Sequence, residues 1–248
     1  MIDIHTHILP KVDDGPRSWE ESLHMLRLAE EAGTRTLVAT SHQPGGWRGP
    51  RPPLPAVYAL VEELNARARS AGIGVQVVPG AEIYLTARAA ELIMAGELPT
   101  LNGTHYVLVE FGFDSWPDDV ERSARRLVEA GYRPVIAHPE RYRLLQHAPD
   151  RVHVFLEMGC LLQINAGSLT GRFGREALRL ADWLFTRGLV HCVASDAHNA
   201  SSRPPALTLA RQVVASRYGQ AVADQVTCSV PAAIVDGRDV AQAVRRSA

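Results

Sequence analysis

Nine residues of the kinds that hold divalent ions stand at or just beyond the ends of short apolar runs: His5 and His7, His42, Glu82, Glu110, His138, Asp196 and His198, with Asp14 in the loop after the first run. Taken singly each has an ordinary structural explanation, since a lone strand-end histidine is usually a satisfied one and a lone glutamate usually a cap or ion-pair partner. The joint pattern is different. Alternate residues of a strand point the same way, so His5 and His7 can face one ion, and Asp196-Ala197-His198 repeats that spacing. Carboxylates and imidazoles crowded together would repel or stay unpaired unless cations lay among them. Nitrogen and oxygen donors without thiolate suit manganese, zinc or iron, and nine donors exceed what one ion uses and fit two or three. Arg141 follows His138 closely and Arg203 follows His198, and a guanidinium fork matches a phosphate.

Such residues meet only if the elements carrying them are aligned. Seven short apolar runs, at 2–4, 36–40, 75–78, 106–109, 134–137, 161–164 and 189–194, read as strands buried on both faces, as parallel strands are. Between them lie amphipathic segments at 18–32, 56–71, 118–130, 151–158 and 175–187, each followed by a glycine before the next strand. The first is the clearest helix: Ser18 and Glu21 make a capping box, and Trp19, Leu23 and Leu26 form its apolar stripe. This βα alternation predicts an α/β fold, either a (β/α)7 barrel or an open doubly wound sheet, in one domain spanning 1–248. In a parallel barrel the strand ends share one face, which gathers candidates scattered over the chain. The loop 43–55, rich in Pro and Gly and carrying Trp47, reads as a lid or substrate loop.

Composition removes several function classes. In 248 residues, 26 basic against 27 acidic side chains leave a formal charge of −1, so no global basic field draws nucleic acid. No run is long enough to span a membrane, and the N-terminus has no leader pattern, so a cytoplasmic protein is expected. Neither a phosphate-cradling G-x-x-x-x-G-K-[ST] nor a G-x-G-x-x-G follows a strand. The three cysteines, Cys160, Cys192 and Cys228, lack paired spacing and point to a reducing compartment. A thiol phosphatase needs Arg six residues after its Cys, and those positions hold Ala166, His198 and Ile234.

The ordered set Ile2-Asp3-Ile4-His5-Thr6-His7, Val12-Asp13-Asp14-Gly15-Pro16, Thr40-Ser41-His42, Gly80-Ala81-Glu82-Ile83-Tyr84, Val109-Glu110-Phe111, Ala137-His138-Pro139-Glu140-Arg141-Tyr142, Gln163-Ile164-Asn165-Ala166-Gly167-Ser168 and Ser195-Asp196-Ala197-His198-Asn199 resembles the polymerase and histidinol phosphatase (PHP) superfamily. Within it the chain is similar, over essentially its whole length, to the manganese-dependent bacterial protein-tyrosine phosphatases of capsule and exopolysaccharide loci, the CpsB/CapC type. The resemblance implies a distorted (β/α)7 barrel. It implies one ion held by His5, His7, Glu82 and Asp196, a second reached through Glu82 and held by Glu110 and His138, and a third held by Asp14, His42 and His198. Arg141 and Arg203 would match the phosphate-binding arginines. The loop after His42 departs from the family pattern, which bears on substrate preference.

The activity implied is hydrolysis of phosphotyrosine by a metal-bridging hydroxide, with two or three manganese ions, or zinc or iron in their place. The expected substrate is an autophosphorylated bacterial tyrosine kinase that regulates polysaccharide synthesis and export. A phenolate leaving group needs little proton donation, so no dedicated general acid is expected, and His42 could assist. Three rivals remain at this point: a histidinol phosphatase-like small-molecule enzyme, an amidohydrolase-like C–N hydrolase, and a metal-stabilised binding module without turnover. His198 and the two arginines count against the amidohydrolase.

Overall fold

The computed structural model describes residues 1–43, 52–116 and 119–240. Residues 44–51 of the expected lid, Trp47 among them, lie outside the described residues; Gln43 belongs to a strand and Leu54 opens a helix.

Nine strands are present among the described residues: β1 (Ile2–Thr6), β2 (Thr36–Ala39), β3 (His42–Gln43), β4 (Gln76–Pro79), β5 (Glu82–Tyr84), β6 (Tyr106–Glu110), β7 (Arg133–Ala137), β8 (Leu161–Asn165) and β9 (Cys192–Ala194). They form two parallel sheets, ordered β1-β2-β4 and β3-β5-β6-β7-β8-β9. The count exceeds the expected seven because two apolar runs continue past a break, β2 into β3 at Thr40–Ser41 and β4 into β5 at Gly80–Ala81. At Gly80 a Cβ would come within 2.6 Å of Val38 Cγ1, so the chain can pass that closely only as glycine. The backbone N–H of Glu82 donates to the Thr40 carbonyl at 3.1 Å, tying the two broken lines together. At the other margin Asp196 N–H donates to His5 O (2.9 Å) and His7 N–H to Ala197 O (2.8 Å), which links the segment after β9 to β1. Seven strand lines thus follow one another in chain order, as a βα barrel orders them.

The helices are α1 (Trp19–Glu31), α2 (Leu54–Ser70), α3 (Ala87–Met94), α4 (Val120–Glu129), the short α5 (Arg143–His147), α6 (His153–Glu157) and α7 (Ala166–Leu169), then α8 (Arg175–Thr186), α9 (Thr208–Tyr218), α10 (Gln220–Asp224) and α11 (Val230–Val235). At the start of α1, Ser18 Oγ accepts from Glu21 N–H (3.3 Å) while the Glu21 carboxylate accepts from Arg17 N–H (2.8 Å), a capping box shifted by one residue. Gly33, at φ 80°, lets the chain turn back into β2, with its N–H on Glu30 O (2.8 Å). The buried face of α1 is Ser22, Met25, Leu26 and Ala29; Trp19 and Leu23 pack only partly buried at its margin. The helix α3 has no counterpart among the expected helices and starts where Thr86 Oγ1 accepts from Ala89 N–H. No helix among the described residues is long and apolar enough to cross a membrane.

Strand alternation divides the core and positions the site. Val107, Val109, Leu162, Ile164 and Val193 face the helices in one cluster. Their neighbours Tyr106, Leu108, Leu161, Cys192 and Ala194 join Val38, Val78 and α11 residues Val230, Ile234 and Val235 in a second. Each large side chain so enclosed contributes about 1.5–3 kcal/mol. Following that inner parity towards the strand ends leads from Leu108 to Glu110, from Leu161 to Gln163 and Asn165, and from Ala194 to Asp196, so an apolar floor gives way to polar groups at the C-terminal end.

Candidate metal centre

The nine expected donors fall into four overlapping groups whose ligand atoms lie within 4.8 Å of one another: His7, Asp14, His42 and His198; His5, His7 and Asp196; His5, Glu82 and His138; His42, Glu82 and Glu110. His5 Nε2 and His7 Nε2 stand 3.4 Å apart, and each is 3.3 Å from Glu82 Oε2. Asp196 Oδ1 is 3.4 Å from His5 Nε2 and 3.5 Å from His7 Nε2. Two donors each about 2.1 Å from one tetrahedral ion stand about 3.4 Å apart, so these separations suit a shared ion. Glu82 also reaches His138 Nε2 through Oε1 (2.9 Å) and His42 Nδ1 through Oε2 (3.2 Å). Glu110 stands with His42 (3.1 Å) and His138 with His5 and Glu82, a different grouping from the one the resemblance implies, with Glu82 the common member.

The local backbone explains how some of these side chains arrive. His138 follows Ala137 and by alternation would face outward with Ile136, but its left-handed backbone (φ 35°, ψ 54°) brings the ring to Glu82 instead. Asp196 is left-handed too, at φ 52°. Such conformations cost a non-glycine residue about 1–3 kcal/mol and persist where function holds them. Asn199 Oδ1 accepts from the N–H groups of Ser201, Ser202 and Arg203, folding the loop so that Arg203 returns over the site. Arg141 Nη1 (3.1 Å) and Arg203 Nη2 (2.6 Å) converge on Asp196 Oδ2. The Arg141 guanidinium lies over the rings of Phe113 (4.6 Å) and Phe173 (4.3 Å).

Charge is collected here against the cost of burial. Burial depresses His5, yet Glu82 and Asp196 more than offset it and raise its pKa to about 9. His7 is buried as completely, and Asp13 drives it well above the usual histidine value. Burial would raise Asp196 and Glu82, but the surrounding imidazoles hold both well below the carboxylate range, with Arg203 adding to the effect at Asp196. Protein alone therefore balances this cluster by keeping protons on imidazoles, and divalent ions would displace those protons. Among the described residues the buried His138 Nδ1 has no hydrogen-bond partner, a further lone pair or proton that they leave unused. The donor chemistry, spacing and charge fit a polynuclear centre.

A family model described as capsular polysaccharide synthesis, CpsB/CapC, matches residues 1–236. The chain belongs to the CpsB/CapC family. It is 36% identical over 241 residues to the tyrosine-protein phosphatase CpsB of Streptococcus pneumoniae, covering 95% of this chain and 98% of that one. It is 40% identical over 203 residues to the tyrosine-protein phosphatase YwqE of Bacillus subtilis (strain 168), covering 82% and 79%. A crystal structure from work on YwqE and CpsB, described as unique metal-dependent tyrosine phosphatases, matches with a TM-score of 0.91 at 35% identity over 96% of each chain. The histidinol phosphate phosphatase of Lactococcus lactis, at 13% identity and a TM-score of 0.55, shares the fold.

In this CpsB/CapC chain, sequence reasoning missed the partners behind the donors. Asp13 Oδ2 sits 2.7 Å from His7 Nδ1 and also accepts from His42 N–H, whereas the neighbouring Asp14 faces His198 (3.3 Å). The doublet Asp13-Asp14 carried a signal, since it offers a second carboxylate beside the expected donor. Glu140 is fully buried, its Oε1 accepting from Asn165 N–H (3.0 Å) and Ser168 Oγ (2.6 Å), which joins the turn after β7 to the end of β8.

Proposed function

We propose that this chain is a metal-dependent protein-tyrosine phosphatase in which His5, His7, Asp14, His42, Glu82, Glu110, His138, Asp196 and His198 hold two or three divalent ions, manganese in the cell. The observation that carries the reading is the convergence of Arg141 and Arg203 on Asp196 at the margin of the donor cluster, two guanidiniums where a phosphoryl group would meet the ions. When bound, the ions lower the pKa of water towards about 7 and neutralise charge on the phosphoryl oxygens. Water adds to phosphorus, the aryl P–O bond breaks in line with it, and the phenolate takes up a proton.

The protein's own part is binding and orientation. Arg141 and Arg203 fix the phosphoryl oxygens by paired N–H bonds that are strongest as charge grows in the transition state. Phe113, 37% exposed beside Arg141, offers a flat apolar face to the tyrosyl ring. Of the five donor histidines, His42 has the most exposed ring, at 14%, so it is best placed to pass a proton towards the leaving phenolate. A cavity of about 120 Å³ beside Arg203, bordered by Phe173, Pro204 and Leu209, gives room for chain flanking the phosphotyrosine. We assign all of this to one domain over 1–248, acting in the cytoplasm on an autophosphorylated tyrosine kinase of the polysaccharide export machinery.

The test is phosphate release by chelator-stripped protein, with and without manganese, from a phosphotyrosine peptide, a phosphoserine peptide and histidinol phosphate side by side. Manganese-dependent release from phosphotyrosine alone is the expected result. Preference for histidinol phosphate would make it a small-molecule enzyme, and no turnover with any metal would overturn the phosphatase reading.

A further inference from the structure

Of the seven strand lines, six end in His, Asp or Glu; β8 ends in Gln163 and Asn165. Both side chains are fully buried on the inner face, where burying an amide is costly unless its hydrogen bonds are made. Four groups form one chain: Asn165 Nδ2 is 2.7 Å from Asp196 Oδ2, Gln163 Nε2 is 2.9 Å from Asn165 Oδ1, and Gln163 Oε1 is 2.8 Å from His5 Nδ1.

The direction of this chain follows from its ends. Asp196 Oδ2 faces Arg141 Nη1 and Arg203 Nη2, which can only donate, so that oxygen is an acceptor, and Asn165 must present its NH₂ group to it and its oxygen to Gln163. That oxygen requires the NH₂ group of Gln163, which leaves Gln163 Oε1 as an acceptor facing His5. His5 must then carry a proton on Nδ1, which leaves Nε2, turned to Glu82, Asp196 and His7, as the nitrogen whose proton an ion would displace. His7 reaches the same state by another route, with its Nδ1 on the Asp13 carboxylate.

We propose that Gln163 and Asn165 are positioning residues, an amide relay that fixes the Nδ1–H tautomer of His5 and the Asp196 carboxylate for metal binding. This rests on the metal-centre reading above. The relay ties two donors from opposite ends of the chain to one strand, so His5 and Asp196 are set together rather than independently. A neutral partner also gives His5 a different role from His7: Gln163 orients the ring without adding negative charge to a site already rich in carboxylates.

The test uses the zinc-loaded protein, which is diamagnetic, with ¹⁵N-labelled histidine and the His5 signal identified by its loss in His5→Gln. In the wild type His5 should show a protonated Nδ1 and a metal-coordinated Nε2. A proton on Nε2 overturns the relay without any variant being needed. Gln163→Leu should weaken manganese binding to chelator-stripped protein by about 10- to 100-fold. Gln163→Glu keeps an acceptor for His5 and should restore the tautomer and part of that affinity, which a space-filling role would not predict. Equal losses in the two variants, or unchanged affinity and tautomer in Gln163→Leu, overturn the proposal. Failure of the wild type to bind either metal would instead defeat the metal-centre reading itself.

Discussion

His5 and His191 lie against the same sheets at opposite ends of the strands, and the protein drives them in opposite directions. His191, just before β9, is lowered to about 4 by burial, with Arg133 pushing the same way, and its Nδ1 accepts from Leu162 N–H (3.1 Å). His5 is fully buried and still raised to about 9, because Glu82 and Asp196 outweigh burial. β9 shows the same contrast along its own length: burial pushes the Cys192 thiol up, whereas two residues past the strand Asp196 stays ionised among imidazoles and guanidiniums. Burial is common to both ends, so it is the gathering of opposite charges that separates a site from a core. At the strand starts polar groups are tolerated as neutral ones. At the strand ends charges of both signs are accumulated, carboxylates against imidazoles and guanidiniums, and divalent ions would take the place of the imidazole protons.

The hardest test of that contrast is Glu82, which touches His5, His7, His42 and His138. Glu82→Gln should cost at least about 10²-fold in manganese-dependent phosphate release, the upper end of what an outer partner of a ligand costs. His191→Gln, measured alongside, should leave turnover unchanged. Comparable losses in the two would mean that the ends are not separate systems.

A smaller loss is expected where charge meets substrate rather than metal. Arg203→Lys retains the positive charge but not the fork, and kcat should fall by about 10²-fold, the lower range for removing one transition-state donor. Metal content by atomic absorption should stay at the wild-type value. A matching fall in bound metal would show that Arg203 serves the donor cluster through Asp196 instead of the phosphoryl group.

Much of this division was legible in the sequence, for a physical reason. Parallel strands buried on both faces must be apolar until they emerge, so a His, Asp or Glu at the end of such a run marks the emerging face, and His5, His42, Glu110 and Asp196 could be found one strand at a time. What escaped detection depends on partners distant in sequence or on backbone that leaves the pattern. Nothing local in Ile136-Ala137-His138 announces that a left-handed residue will turn His138 inward. Gln163 and Asn165 look like ordinary polar strand residues until His5 and Asp196 are seen beside them, 158 and 31 residues away in the chain. The breaks at Thr40–Ser41 and Gly80–Ala81 arise from two lines passing closely, as the approach of Val38 to Gly80 shows, and a single run does not record that contact. The pairing of Asp13 with His7, and of Asp14 with His198, likewise needed the loop to be folded.

The smallest effect sharpens the comparison at its quiet end. A histidine whose folded pKa is about 4, against about 6.5 unfolded, stabilises the fold fully above pH 6.5 and less as pH falls towards 4, because only the unfolded chain takes up the proton in that window. The full difference amounts to about 3 kcal/mol, and His191 is only partly buried, so that figure is a ceiling. Denaturant unfolding of wild type and His191→Gln at equal metal content should therefore give stabilities whose difference shrinks by up to about 3 kcal/mol from pH 7 to pH 4, the wild type losing more. Groups at the strand ends titrate in both proteins and cancel in that difference. A difference that stays flat across the window would mean that His191 is not held neutral, and that burial alone does not define the lower end of the sheets.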